Sequence, residues 1–177
     1  MLGFLASIKP DAWSALAAVL AAIWAILANT REWKRTRFIK GIELLNSWDD
    51  QFRSTEFRSK RRVSAKYLLQ DASDPSDPPE DLVEVLDFFE GLAYFHRRGL
   101  CDAESLWHFF ASWLLPYFAA SHAVVKHMTK NDPSLFEDLA RLNKELEKVE
   151  SRRHPSQSSL HILSPDSIKG FLQAESQ

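Results

Sequence analysis

An uncharged stretch of seventeen residues, from Ala12 to Ala28, constrains this chain more than any other feature. Five basic residues follow it at once: Arg31, Lys34, Arg35, Arg37 and Lys40. A run of that length is close to the minimum for a helix that crosses a bilayer. Trp13 and Trp33 flank the run, and in a helix they would lie about 30 Å apart, near the thickness of the hydrocarbon core. We therefore predict a transmembrane helix over residues 11–30.

The distribution of charge predicts how this helix is oriented. Because Lys and Arg side chains stay cytoplasmic, residues 1–10, which contain only Lys9, are expected outside, and the rest of the chain in the cytoplasm. The predicted location is the inner membrane, with a single pass. Membrane lipids are then the first expected partner, and the five basic residues would contact their headgroups. The residues expected to anchor the chain are Trp13, Leu16, Leu20, Ile23, Trp24, Leu27 and Trp33.

Two other interpretations fit the segment less well. A cleaved signal peptide carries its charge before the apolar run and a small-x-small site after it, whereas Ile26 stands where a small residue is needed. The second interpretation is a buried helix of a protein core. It is compatible with the segment because alanine contributes little hydrophobicity. Within the anchor, the small residues Ser14, Ala18, Ala21 and Ala25 form a stripe. That stripe would either pack against a second copy or another membrane protein, or face lipid.

Composition limits the classes of function. With a net charge of −2, the chain is not expected to bind nucleic acid. Cys101 is the only cysteine, so an intramolecular disulfide and a cysteine-built zinc site are excluded, as suits a reducing compartment. Six Trp and twelve Phe residues predict an aromatic core or a partner surface. No motif indicates a metal or a cofactor, and we expect none.

Helical periodicity predicts an all-α chain. The anchor continues as a juxtamembrane helix over residues 31–53, with Gly41 weakening it by about 1 kcal/mol relative to alanine. A helical bundle follows over residues 54–151, and its first helix starts at Ser54 or Thr55 and ends at Leu69. Prolines predict a loop over 71–79.

The centre of the bundle is predicted to be an antiparallel helical hairpin. Its first helix opens at Pro79 and ends before Gly99, and its second is capped by Asp102. Pro116 should kink or end that second helix. A last helix is expected with Asp132 as its cap, Pro133 at its first position and an apolar seam formed by Leu135, Leu139, Leu142, Leu146 and Val149. Residues 152–177 are predicted to be a flexible tail, in which 167–174 become helical only when docked.

The segment from Val85 to Phe118 resembles an uncharacterised family of bacterial proteins. The resembling marks are the Phe-Phe-Glu helix, its Arg-Arg-Gly end, the Asp cap and the Trp-bearing helix that follows. The resemblance implies a single N-terminal membrane anchor and a small helical domain, and it brings no established activity. Pro116 departs from the family's pattern.

Two groups of polar residues are candidate sites. Arg58, Lys60, Arg61 and Arg62 form the best candidate partner face, for lipid or protein, or simply a solvated helix surface. His96 lies on an apolar seam, where it needs a hydrogen-bond partner such as Glu90, Asp87 or a residue of the following helix. A core histidine outside any solvent-connected pocket is the expected role. Glu104 and His108 are one turn apart and are expected to face water.

These patterns favour a membrane-anchored helical interaction module, such as a scaffold, accessory subunit or regulator at the cytoplasmic membrane surface. No catalytic constellation is recognisable, so we do not expect an enzyme. The alternative is a membrane-proximal enzyme that uses His96 with Glu90 or Asp87. A toxin-like membrane disruptor is a third class, but the anchor has no polar stripe beyond Ser14.

Overall fold

A computed structural model of the chain describes residues 10–70, 74–155 and 163–177, and the described part contains helices and no strand. The α-helices are α1 (Pro10–Arg53), α2 (Thr55–Leu68), α3 (Glu80–Arg97), α4 (Ala103–Ala120), α5 (His122–Asn131), α6 (Glu137–Arg153) and α7 (Pro165–Glu175). The predicted all-α class is confirmed. The chain divides into two compact units, residues 1–40 and residues 41–177.

The first unit consists, in its described part, of the N-terminal portion of α1. Its side chains from Val19 to Leu27 are all exposed, and Trp24 is 71% accessible. Among the described residues, no helix combines the length and the apolarity that crossing a membrane requires. The transmembrane helix predicted over 11–30 is therefore not supported. Eight of the seventeen residues from Ala12 to Ala28 are alanine, whose small side chain keeps the mean hydropathy modest.

The second unit is built around Phe52, near the end of α1. This side chain has no exposed surface, and five aromatic rings lie with their centroids 5.2–5.8 Å from its own. The five rings belong to Phe57, Phe88, Phe89, Phe110 and Trp113. Because they come from α2, α3 and α4, one phenylalanine ties four helices together. Of the two predictions for the aromatic residues, a core or a partner surface, the structure thus shows an aromatic core.

Helix boundaries in α2, α3 and α4 follow the predicted signals. The Ser54 hydroxyl accepts a hydrogen bond from the Phe57 backbone N–H, so α2 starts at Thr55. Gly99 has a φ of 66°, which ends α3, and Asp102 caps α4 by accepting from the Ser105 N–H. Pro116 does not end α4, which runs on to Ala120. The burial of its neighbours Leu115 and Tyr117 outweighs the hydrogen bond that proline removes.

Three features of the C-terminal half differ from the predictions. Helix α5 was not predicted, and α6, rather than a simple α3–α4 hairpin, forms the centre of the bundle because it packs extensively against both α3 and α4. Helix α6 begins at Glu137, not at Pro133, so Leu135 lies outside it and is partly exposed. The remaining seam residues Leu139, Leu142, Leu146 and Val149 are buried as predicted.

The start of α6 is set by a contact from another helix. Asp132 accepts from the backbone N–H and the hydroxyl of Ser134, so its carboxylate is used in its own turn. The Glu90 carboxylate of α3 instead accepts from the backbone N–H groups of Asp138 and Leu139, at 3.3 and 2.6 Å. A side chain 48 residues away therefore replaces the predicted local cap.

The chain after residue 152 is not a flexible tail in its described part. Helix α6 extends to Arg153, and α7 packs against α2 and α4, with Leu172 buried. The helix predicted over 167–174 on docking is thus present as part of α7, and it is docked on the bundle of the same chain.

Candidate functional site

His96 stands near the end of α3, where it joins three segments of the second unit. Its Nδ1 atom lies 2.9 Å from the backbone oxygen of Cys101, and its Nε2 atom lies 2.9 Å from Oε2 of Glu145 in α6. The sequence suggested Glu90, Asp87 or a residue of α4 as the partner of His96, and the observed partners are different ones. The reason is that α6 covers this side of α3, a packing choice that no local pattern indicates.

Both partners of His96 are hydrogen-bond acceptors. A neutral imidazole has one N–H and one lone pair, so only the doubly protonated ring donates to both neighbours at once. A general base needs a lone pair aimed at a substrate proton. In this arrangement His96 is a bridge between α3, the α3–α4 loop and α6, and it is poorly placed to accept a proton from a bound molecule.

A cleft of about 230 Å³ nevertheless opens beside His96, contrary to the prediction that no pocket reaches it. Its charged lining includes Arg97, Asp138 and Arg141. Asp138 pairs with both arginines, at 2.9 Å to Arg97 and 3.8 Å to Arg141, and Arg141 also pairs with Glu137 at 2.5 Å. In the parts of the chain that are described, no group of three or more His, Cys, Asp or Glu side chains is arranged to hold a metal ion.

The acids proposed as partners of His96 have other roles. Burial raises the pKa of Glu90, an effect partly offset by the backbone N–H groups of Leu139 and Asp138. Burial also raises the pKa of Asp87, with the nearby Glu84 carboxylate as a second cause. Glu90 therefore holds the start of α6 and does not orient the imidazole.

The predicted basic face on α2 is divided by the fold. Arg58 and Arg62 are exposed, while Lys60 forms ion pairs with Glu84 and Glu56. Arg61 is only 7% exposed. It follows Phe57 by four residues and precedes Ala65 by four, so helical spacing places it on the buried stripe of α2. That spacing was the available signal, and the prediction missed it.

Arg61 forms a buried site that the sequence did not indicate. Its guanidinium carbon lies 4.3 Å from the centroid of the Phe52 ring, and Nη1 lies 2.9 Å from Oε2 of Glu175 in α7. Nη1 lacks the alignment of a hydrogen bond despite this distance, and Nε has no partner among the described residues. Burial lowers the pKa of Arg61, and the Glu175 carboxylate opposes that effect.

Tyr117 completes the site from α4. Its hydroxyl donates to the backbone oxygen of Arg61 at 3.0 Å, and the Phe171 ring of α7 meets its ring edge-on at 5.2 Å. Burial is the main reason that the pKa of Tyr117 is raised, and the Glu175 carboxylate adds to it. Helix α7 thus brings an aromatic ring, a leucine and a carboxylate to one place.

The predicted membrane-anchoring residues are only partly described. Leu20, Ile23, Trp24 and Leu27 are exposed, whereas the side chains of Trp13, Leu16 and Trp33 lie outside the described residues. Of the predicted headgroup contacts, Arg35 and Lys40 are exposed; Arg31, Lys34 and Arg37 have side chains outside the described set. In the stripe of small residues, Ala21 and Ala25 are exposed and Ser14 and Ala18 are not described.

Glu104 and His108 are exposed on α4, as predicted. Glu104 pairs with Arg153 at 2.7 Å and with Arg152 at 3.2 Å, so it links α4 to the end of α6.

The fold and these contacts define an all-helical protein whose second unit is organised by interhelical ion pairs around an aromatic core. The family described as Domain of unknown function (DUF4760) matches residues 12–146, and the chain belongs to it. No curated protein and no solved structure matches the chain.

Proposed function

We propose that this protein is a helical interaction module that is held at a membrane by its N-terminal segment. The observation that carries the proposal is the exposure of large apolar side chains in α1. Val19, Leu20, Ile23, Trp24, Ile26 and Leu27 are each about half exposed or more. A contiguous apolar surface of this kind is typical of a partner or membrane interface, because its exposure to water is unfavourable.

The basic residues that follow the apolar run support a membrane, and not a protein, as the partner of this exposed apolar surface. The five basic residues from Arg31 to Lys40 come directly after the apolar run, where anionic headgroups would meet them. Their position also favours an N-terminus outside and a cytoplasmic C-terminal unit. Insertion across the inner membrane by residues 11–30 is the form of attachment that we propose.

The second unit supports an interaction role over catalysis. His96, which has a cleft beside it, has both ring nitrogens engaged by protein acceptors. Of the charged side chains around it, Arg97 of α3 pairs with Asp138 of α6, and Asp138 also pairs with Arg141 within α6. Such an arrangement stabilises a scaffold and presents folded surfaces to other proteins.

Vesicle flotation of the full chain tests the attachment. We expect the protein to float with vesicles of phosphatidylcholine and phosphatidylglycerol and to resist extraction at alkaline pH, since an inserted helix is not released by breaking ionic contacts. Ile23→Glu combined with Leu27→Glu should abolish flotation. Val63→Glu is the matched control, because Val63 is an exposed apolar residue of the second unit.

Two results would contradict the proposal. A parent chain that stays with the soluble fraction has no membrane attachment. A double variant that floats as well as the parent places the contact elsewhere. Orientation is tested separately with a C-terminal fusion to a phosphatase that is active only outside the cytoplasm, and that fusion should be silent.

A further inference from the structure

Helix α7 covers a groove between α2 and α4, and it packs mainly against α2. It has eleven residues, and Leu172 is its one buried residue in the described structure. Isolated helices shorter than about 12 residues are marginal in water, so α7 depends on docking for its helical form. Its helical form is therefore stabilised by its packing on α2 and α4.

The docked face of α7 has a simple chemical pattern. Ile168, Phe171 and Leu172 recur at helical spacing and pack against the core. Glu175 takes the next position of that stripe, where its carboxylate meets Arg61. The groove thus recognises an apolar stripe that ends in an acidic residue.

The groove contains a charge that needs this partner. Arg61 is buried. Among the described residues, Glu175 is the only one whose carboxylate forms an ion pair with it. An unpaired buried charge is strongly unfavourable, which selects an acidic occupant. Among the described residues the Nε atom of Arg61 has no hydrogen-bond partner, so Glu175 of α7 meets only part of the hydrogen-bonding capacity of this guanidinium.

The family match separates the groove from its cover. Residues 12–146 include Arg61, Tyr117 and Phe52, whereas all of α7 lies beyond them. The matched range therefore contains residues that lie under α7, and it ends within α6, before α7 begins.

We propose that the groove between α2 and α4 is a docking site for an acidic amphipathic helix of a partner protein, and that α7 is its intramolecular occupant. The partner helix would present the same stripe of three apolar residues followed by a carboxylate, and it would displace α7 by competition. This inference rests on the proposed interaction role and names the kind of partner.

Peptide binding to the full chain in non-ionic detergent tests the inference without any vesicle, so its failure is distinct from a failure of membrane attachment. The probe is a fluorescent synthetic peptide of residues 163–177, followed by anisotropy. Leu172→Glu in the protein should release α7 and raise the affinity for the peptide at least tenfold over the parent, whose groove is filled. If the Leu172→Glu protein loses more helical residues than the eleven of α7, the rest of the bundle is disturbed. The Glu175→Lys protein is then used in its place, because charge reversal beside Arg61 also releases α7.

Altered peptides show what the groove recognises. Glu175→Gln in the peptide should weaken binding at least tenfold, whereas Asp166→Asn, at the other carboxylate of α7, should leave it nearly unchanged because Asp166 is exposed. A designed helix that keeps only the residues at 168, 171, 172 and 175 should bind comparably to the native peptide.

Three outcomes would overturn the inference. The first is no binding to either released variant, which makes α7 a fixed part of the bundle. The second is equal binding to the parent and the variants, or no binding of the designed helix, since the groove would then not be the exchangeable site. The third is a parent chain that dimerises by exchanging α7, which would make a second copy the occupant.

Discussion

Gly41 lies where α1 passes the loop between α3 and α4, and replacing it with alanine gives the sharpest test of this packing. A Cβ atom added at Gly41 would lie 2.2 Å from the backbone oxygen of Leu100 and 3.4 Å from its carbonyl carbon. The obstacle is backbone, not the flexible end of a side chain, so α1 or the loop must move. The sequence indicates only that Gly41 weakens a helix; the structure shows why the residue is needed.

The two effects of Gly41→Ala oppose each other. Alanine favours the helix by about 1 kcal/mol over glycine. Overpacking in a folded core costs about 1–3 kcal/mol, and a clash between two backbone segments belongs at the upper end. We therefore expect Gly41→Ala to lower the free energy of unfolding by about 2 kcal/mol.

The chain provides its own controls. A Cβ atom at Gly170 in α7 meets nothing within 4 Å, so Gly170→Ala should raise stability, by up to about 1 kcal/mol. At Gly91 the Cβ atom would lie 2.6 Å from the tip of the Trp48 ring, which can shift, so the effect of Gly91→Ala should fall between the other two.

Urea denaturation followed by tryptophan fluorescence and circular dichroism measures all three variants in the same buffer. The expected order of stability is Gly170→Ala above the parent, then Gly91→Ala, then Gly41→Ala. If Gly41→Ala raises the midpoint as Gly170→Ala does, the loop does not approach α1 as described, and the reasoning is refuted.

Four further substitutions, at three residues, probe the second unit by the same denaturation assay. Phe52→Ala should cost about 3–5 kcal/mol, because it removes a fully buried ring that contacts five others; a loss below about 1 kcal/mol would contradict its central place. Glu90→Ala should cost about 1 kcal/mol as the cap of α6 is lost, and Glu90→Gln less, because an amide oxygen still accepts. Burial raises the Glu90 pKa above its ordinary value of 4.5, so the folded state binds this proton more tightly than the unfolded state does. The stability that the proton adds is present below pH 4.5 and is lost as the pH rises through the raised pKa, while the carboxylate still caps α6. The parent should thus lose stability relative to Glu90→Gln on going from acid to neutral pH, and the absence of this trend would contradict the burial argument. His96→Gln should cost about 1–2 kcal/mol by disturbing the bridge to Cys101 and Glu145 while vesicle flotation is unchanged, and parental stability would show that the bridge contributes nothing.

Local signals in the sequence were sufficient for the all-α class and for several helix ends. Ser54, Gly99 and Asp102 act through neighbours three to five residues away, so their effects on the backbone can be predicted without the fold. The seam from Leu139 to Val149 is likewise confirmed, since helical periodicity alone places its members on one face.

Other local signals predicted the helix ends wrongly, because contacts between distant segments outweighed them. Pro116 predicts a kink or an end in α4, and the helix does not end there, because the burial of its neighbours maintains it. Asp132 has the chemistry of a helix cap, yet it is used in its own turn while Glu90 caps α6 from another helix. Both outcomes depend on contacts that exist only once distant segments meet.

The candidate sites show the same division. Residue types identified His96 as a histidine in need of a partner, and the partner proved to be Glu145, 49 positions away. Four basic residues between positions 58 and 62 suggested one face. Helical spacing was enough to place Arg61 on the apolar stripe of α2, but only the packing of α2 against α1 and α7 decided that it lies over Phe52 and pairs with Glu175. The sequence by itself determined which segments are helical and which faces are apolar, because those properties depend on neighbours within a turn. Only the tertiary structure decided which partner each charged side chain finds, because that depends on which helices pack together.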